Sequence, residues 1–240
     1  MKSTSHFAMG HLLYASLQKR GIYLNRIAFV YGNIAPDYTP AMLVSPHFNK
    51  VCTRSLTELI STLPQLPLGA NGRVGAEYSK QLGIMCHFLC DYFCFAHNDD
   101  FAGSIKQHRK YEDELDAFMR RECLKLLDVG AKNHVSAQLS SRLLWNRIEA
   151  RKEEYLSLGY TLENDLMFSF DACVTSISTL VALSQKVPVP ATTISVEDIF
   201  TSLKGYATGD CLIYRMFFFR NRRNNIFFLP DLMPPIRAYA

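Results

Sequence analysis

Five residues in the middle of this chain carry the types and spacing of a metal centre. Three of its seven histidines, His87, His97 and His108, fall within 22 residues beside Asp91 and Glu112. In HFLCDYFCFAH, His87 and Asp91 stand four apart, so a helix stacks them on one face within reach of a single cation. His97 lies six residues beyond Asp91, about 120° around an ideal helix, and addresses a neighbouring ion. In HRKYE, His108 and Glu112 repeat the four-residue pairing of a nitrogen with an oxygen donor. Zinc accepts this mixture, as do iron and manganese, and two or three such ions close together can hold a bridging hydroxide and stabilise a phosphoryl transition state. Each residue alone has a plainer reading, such as a hydrogen-bonded core histidine or, for His108 and Glu112, a surface pair. Burying the whole set in an apolar segment without partners would cost on the order of several kcal/mol, and that favours a metal.

The elements that must position these donors are helical. Apolar spacing predicts helices over 6–20, 50–63, 74–98, 104–128, 135–157, 163–186 and 195–220, with almost no strand alternation. Breaks at 32–46, 64–72, 98–103, 130–133 and 187–193 carry glycine, proline or asparagine and read as loops between packed helices. The expectation is an all-α fold, one multi-helix domain over 1–240. From about 214 a tail mixes Phe217, Phe218, Phe219, Phe227 and Phe228 with Arg215, Arg220, Arg222 and Arg223, a composition able to touch a membrane or a nucleic-acid backbone, or simply to pack on the body with its arginines solvated. His134 has no acidic partner at ligand spacing and reads as structural. Asp99 and Asp100 read as capping or solvated residues.

A 48% hydrophobic content supports a sizeable core, and a net charge of +4 permits an anionic partner without requiring one. The seven cysteines form no CxxC pair and read as reduced thiols of a cytoplasmic protein, peripheral contact with a membrane being compatible. Cys86, Cys90 and Cys94 recur every four residues, and buried thiols are the simpler account of them than a soft-metal site. Lys2 and the apolar run from Phe7 to Leu17 imitate a signal peptide, but His6 and His11 interrupt it. No run of 18 apolar residues occurs, so no transmembrane helix is expected.

These motifs resemble the zinc-dependent phospholipase C family, which shares its helical fold and trinuclear site with single-strand-specific zinc nucleases. The family pattern is His, three residues, Asp, five residues, His, a variable gap, then His, three residues and Glu, and here it reads His87, Asp91, His97, His108, Glu112. Upstream, NIAPDYTP places Asp37 in the family's aspartate loop, SPHF supplies His47, and GHLLYASL sets His11 where relatives carry an early helical histidine. The resemblance covers roughly the first half of the chain.

It implies one ion held by Asp37, His47, His87 and Asp91, a second by His97, His108 and Glu112, and a third by His11 with bridging Asp91. In secreted relatives an N-terminal tryptophan completes that third site through its amino group and carbonyl. This chain begins with Met1, and the expectation is that His6 replaces those ligands. The implied activity is hydrolysis of a phospholipid or other phosphodiester by a metal-bridging hydroxide, with two or three Zn2+ ions and Asp37 as a further ligand or base. Glu112 favours the phospholipase branch, and Tyr38 matches an aromatic of the headgroup pocket. The acidic residue of choline-preferring relatives has no counterpart among Ser3, Thr4 and Ser5. Two alternatives stand beside this: a nuclease of the same fold, for which nucleic acid is the less favoured partner, and a non-catalytic metal-binding or membrane-interaction protein. The sequence leaves the oligomeric state open.

Overall fold

A computed structural model of the chain describes residues 1–38, 49–69, 73–122 and 140–185. Among these residues the fold is all-helical: α1 (Ser3–Lys19), α2 (Arg26–Ile34), α3 (Asn49–Thr62), α4 (Ala76–Tyr92), α5 (Ile105–Glu122), α6 (Ser141–Leu158) and α7 (Leu162–Gln185). Three 3-10 turns, Ala35–Tyr38, Leu63–Gln65 and Phe95–His97, complete it. The expected helix over 195–220, the tail from about 214, and His47 and His134 lie outside the described residues.

Local chemistry sets the helix ends. Asn25 caps α2 by accepting from the Ala28 N–H at 3.1 Å, and Ser140 caps α6 by accepting from Leu143 N–H at 3.1 Å. α6 stops at Gly159, whose φ of 81° is open to glycine at little cost.

Three elements depart from the sequence expectation. The helix expected from 135 begins only at Ser141, Ser140 being extended. Helix α2 occupies 26–34, where Gly32 obscures the apolar period. The helix expected over 74–98 stops at Tyr92, and Cys94 is extended before the 3-10 turn of Phe95–His97 begins. The 120° angle inferred for His97 therefore does not apply, because His97 is not on the helix of Asp91.

Helix α4 runs through the core and packs on α2, α3 and α7, burying Leu82, Met85, Cys86, Leu89 and Cys90. Fully burying an aliphatic side chain of this kind contributes about 1.5–3 kcal/mol. Against α2 the approach is backbone to backbone. A Cβ added at Gly83 would stand 2.2 Å from the Phe29 carbonyl oxygen, and one at Gly32 would stand 2.2 Å from that of Lys80. Only paired glycines allow that separation, and it brings the C-terminal end of α2 beside His87.

Helix α7 crosses the other side of α4, with the Tyr78 hydroxyl 2.8 Å from Ser184 Oγ and Cys173 Sγ 3.7 Å from the Cys86 carbonyl. By length and composition α7 is apolar enough to cross a membrane, yet 83% of the qualifying window is buried inside the molecule, as in a core helix. Cys52, Cys86, Cys90, Cys94 and Cys173 are all buried and none is in a disulfide. Burial pushes the thiols of Cys52, Cys86, Cys94 and Cys173 up, and contact with Cys173, then burial, does so for Cys90.

Candidate metal centre

Two groups of donors face one another where α1, α4 and α5 converge. The buried group joins His6 of α1 with His87 and Asp91 of α4, their ligand atoms within 4.8 Å of one another. His6 Nε2 lies 3.2 Å from Asp91 Oδ1, and His87 Nε2 lies 3.4 Å from Asp91 Oδ2. The two imidazoles stack with centroids 3.9 Å apart. His87 Nδ1 is 2.9 Å from the Asn33 carbonyl oxygen, which can only accept, so Nδ1 carries a proton and Nε2 is the ring nitrogen turned toward the carboxylates. Asp37, on the 3-10 turn after α2, brings Oδ1 to 3.8 Å from His87 Nε2, and Ser3 Oγ donates to its Oδ2 at 2.7 Å.

The second group is more open. His108 Nε2 lies 3.3 Å from Glu112 Oε1 one turn along α5, and His97 Nε2 lies 3.2 Å from the same oxygen. The side chains of His108 and Glu112 are 24% and 14% exposed, against 0% and 2% for His87 and Asp91. One group therefore faces solvent and the other the interior.

Asp91 stands between the groups. Its Oδ1 lies 3.7 Å from His97 Nε2 as well as beside His6, so one carboxylate addresses both. The Met1 amino nitrogen settles in the same place, 2.5 Å from Asp91 Oδ1, 3.2 Å from Glu112 Oε1 and 2.9 Å from His97 Nε2. Thr4 and Ser5 hydroxyls donate to Asp116 of α5 at 3.0 and 2.8 Å, which fixes the start of α1 and with it His6.

The electrostatics agree. Burial alone would raise the Asp91 carboxyl, but His97, the amino terminus, His6 and His87 together hold it well below the usual range. Burial would likewise raise Glu112, and the amino terminus with His108 and His97 lowers it. Burial works to lower His6, and the Asp91 carboxylate overrides it and lifts the imidazole to about 9. His97 is lowered, by burial first. The result is two ionised carboxylates fringed by imidazoles, a nitrogen and oxygen donor set that zinc accepts.

Of the residues singled out in the sequence, His6, His87 and Asp91 come together with Asp37 at their edge, and His97, His108 and Glu112 form the second group. Neither group includes His11. It follows His6 by five residues, about 140° around α1, and is buried against the Phe7 ring with centroids 4.7 Å apart. Tyr38 is 61% exposed beside Asp37. The Asn33 carbonyl, the Ser3 hydroxyl and the Met1 amino group escaped the sequence reading. Two are backbone groups that no spacing reveals, and a serine near a chain start carries no distinguishing pattern.

Residues 5–162, about two thirds of the chain, match the family model described as zinc dependent phospholipase C, and the match spans every donor named above except the Met1 amino group. No curated protein and no solved structure matches the chain.

Proposed function

Because the chain belongs to the zinc-dependent phospholipase C family, a hydrolase family, we propose that it hydrolyses a phosphodiester bond of a phospholipid at the paired donor groups. The observation that carries this reading is the position of Asp91, whose two oxygens address His87 on one side and His6 and His97 on the other, as a carboxylate shared between neighbouring ions does. Zinc held there supplies Lewis acidity toward phosphate oxygens and a water that releases its proton near neutral pH. The chain's own residues do the rest. Asn33 fixes the ring of His87, and Ser3 holds one oxygen of Asp37 so that the other faces the donors. Asp37, part-exposed at the edge of the buried group and 3.8 Å from His87 Nε2, would orient or deprotonate the attacking water. Tyr38, exposed beside it, offers an aromatic face to a cationic headgroup.

Elemental mass spectrometry of the purified protein, paired with turnover of a chromogenic phosphocholine ester before and after chelation, tests the proposal. Two or three zincs per chain with chelator-sensitive turnover are expected. A chain holding no stoichiometric metal overturns it, and an Asp37→Ala variant with intact metal content and turnover removes Asp37 from the mechanism.

A further inference from the structure

The open donor group is assembled from two segments, the 3-10 turn Phe95–His97 and helix α5, which meet inside the group only at the donor atoms themselves, His97 Nε2 lying 3.2 Å from Glu112 Oε1 and the His97 and His108 rings in edge contact. Behind it lies Asp165, on the first turn of α7 and fully buried. One oxygen, Oδ2, accepts from the Phe95 N–H at 3.0 Å and from the Tyr111 hydroxyl at 2.8 Å. Phe95 opens the turn that carries His97, and Tyr111 lies between His108 and Glu112 on α5. The other oxygen accepts from the Tyr155 hydroxyl of α6 at 2.7 Å. A single carboxylate thus ties together both segments that carry the three donors.

A second tie lies beside it. Lys152, almost wholly buried, donates through Nζ to Asn98 Oδ1, one residue past His97, and to the Tyr92 carbonyl, one residue past Asp91. Its ammonium sits 4.5 Å from the Tyr92 ring centroid and 4.9 Å from that of Tyr155. Burying a carboxylate and an ammonium is costly compared with apolar residues of similar volume, so the arrangement calls for a benefit beyond packing. Metal sites supply one, because ligand distances tolerate only about 0.2 Å of error.

We propose that Asp165 is a positioning residue for the His97, His108 and Glu112 donor group, holding the turn of His97 against the helix of the other two. This rests on those three residues being zinc donors, which the zinc content of the wild-type protein decides separately from any variant. In the full chain, stepwise zinc affinity measured by competition with a chromophoric chelator, with cadmium-113 resonances to distinguish the sites and His108→Ala to assign the open one, gives the readout. Asp165→Ala is expected to weaken the open site about 10- to 100-fold and leave the buried site unchanged. Asp165→Asn, able to turn its carbonyl oxygen toward Phe95 and Tyr111, is expected to recover most of that affinity. If the alanine variant does not fold, Asp165→Glu keeps the charge while displacing it by a methylene, and the same selective loss is expected. Amide exchange across Phe95–Asn98 in the metal-free chain, faster in the weakened variant and restored by Asn, provides a measurement that needs no ion. Equal weakening of both sites, or full affinity at both, overturns the proposal.

Discussion

His6 and His11 share one helix, both are buried, and their imidazoles move in opposite directions. Beside Asp91, His6 is lifted to about 9, whereas burial and then Arg26 lower His11 to about 3. An unfolded histidine titrates near 6.5, so between about pH 3 and 6.5 the unfolded chain binds a proton at position 11 that the folded chain does not. The stability linked to His11 is therefore complete above that window and is lost as pH falls through it, at up to about 1.4 kcal/mol per pH unit. For metal-free His6 the sign reverses: its contribution is present below about 6.5 and is lost as pH rises through about 9. A His11→Leu variant is expected to lose less stability than the parent between pH 6.5 and 4.5, measured by urea unfolding at each pH; parallel curves would mean that His11 is not held neutral. The donors themselves were legible because two pairs sit four apart on helices, a spacing that survives any tertiary arrangement. His11 was named beside His6, and which of the two turns toward Asp91 depends on the angle at which α1 meets α4, an angle that apolar spacing along one helix does not contain.

Helices α2 and α4 show what the element scale adds. Their contact is set by Gly32 and Gly83, and it places the Asn33 carbonyl where it orients His87. Gly83→Ala would press a methyl into the Phe29 carbonyl and force the helices apart. A loss of about 3 kcal/mol is expected from chemical denaturation, with weaker zinc binding at the buried group. An alanine tolerated without loss would mean that the helices can separate freely. The same glycine pair accounts for the main helix absent from the sequence reading. Gly32 and Asn33 look like a loop because glycine weakens an isolated helix, and only the neighbouring backbone explains why glycine is needed there. The end of α4 was hidden for a different reason. Phe93, Cys94 and Phe95 continue an apolar run, and the Asp165 carboxylate that accepts from the Phe95 N–H comes from α7, 70 residues away.

Across the described residues, the all-helical class and six of the seven helices were legible because apolar periodicity is local, while the layering of α2, α3 and α7 around α4 depends on contacts between distant segments. The family match ends at residue 162, at the start of α7, so the helix that closes the core and supplies Asp165 lies almost wholly beyond it. The buried cysteines follow that layering: Cys86, Cys90 and Cys94 come from α4 and its exit, Cys52 from α3 and Cys173 from α7. Being both enclosed and held in the unreactive thiol form, they double as a clock. Under native conditions iodoacetamide is expected to spare all five, and under mild denaturant they are expected to label together at the rate of global opening. Early modification of Cys52 alone, read by peptide mass, would instead reveal that α3 detaches before the rest, turning a passive feature of the core into a record of the order in which the molecule comes apart.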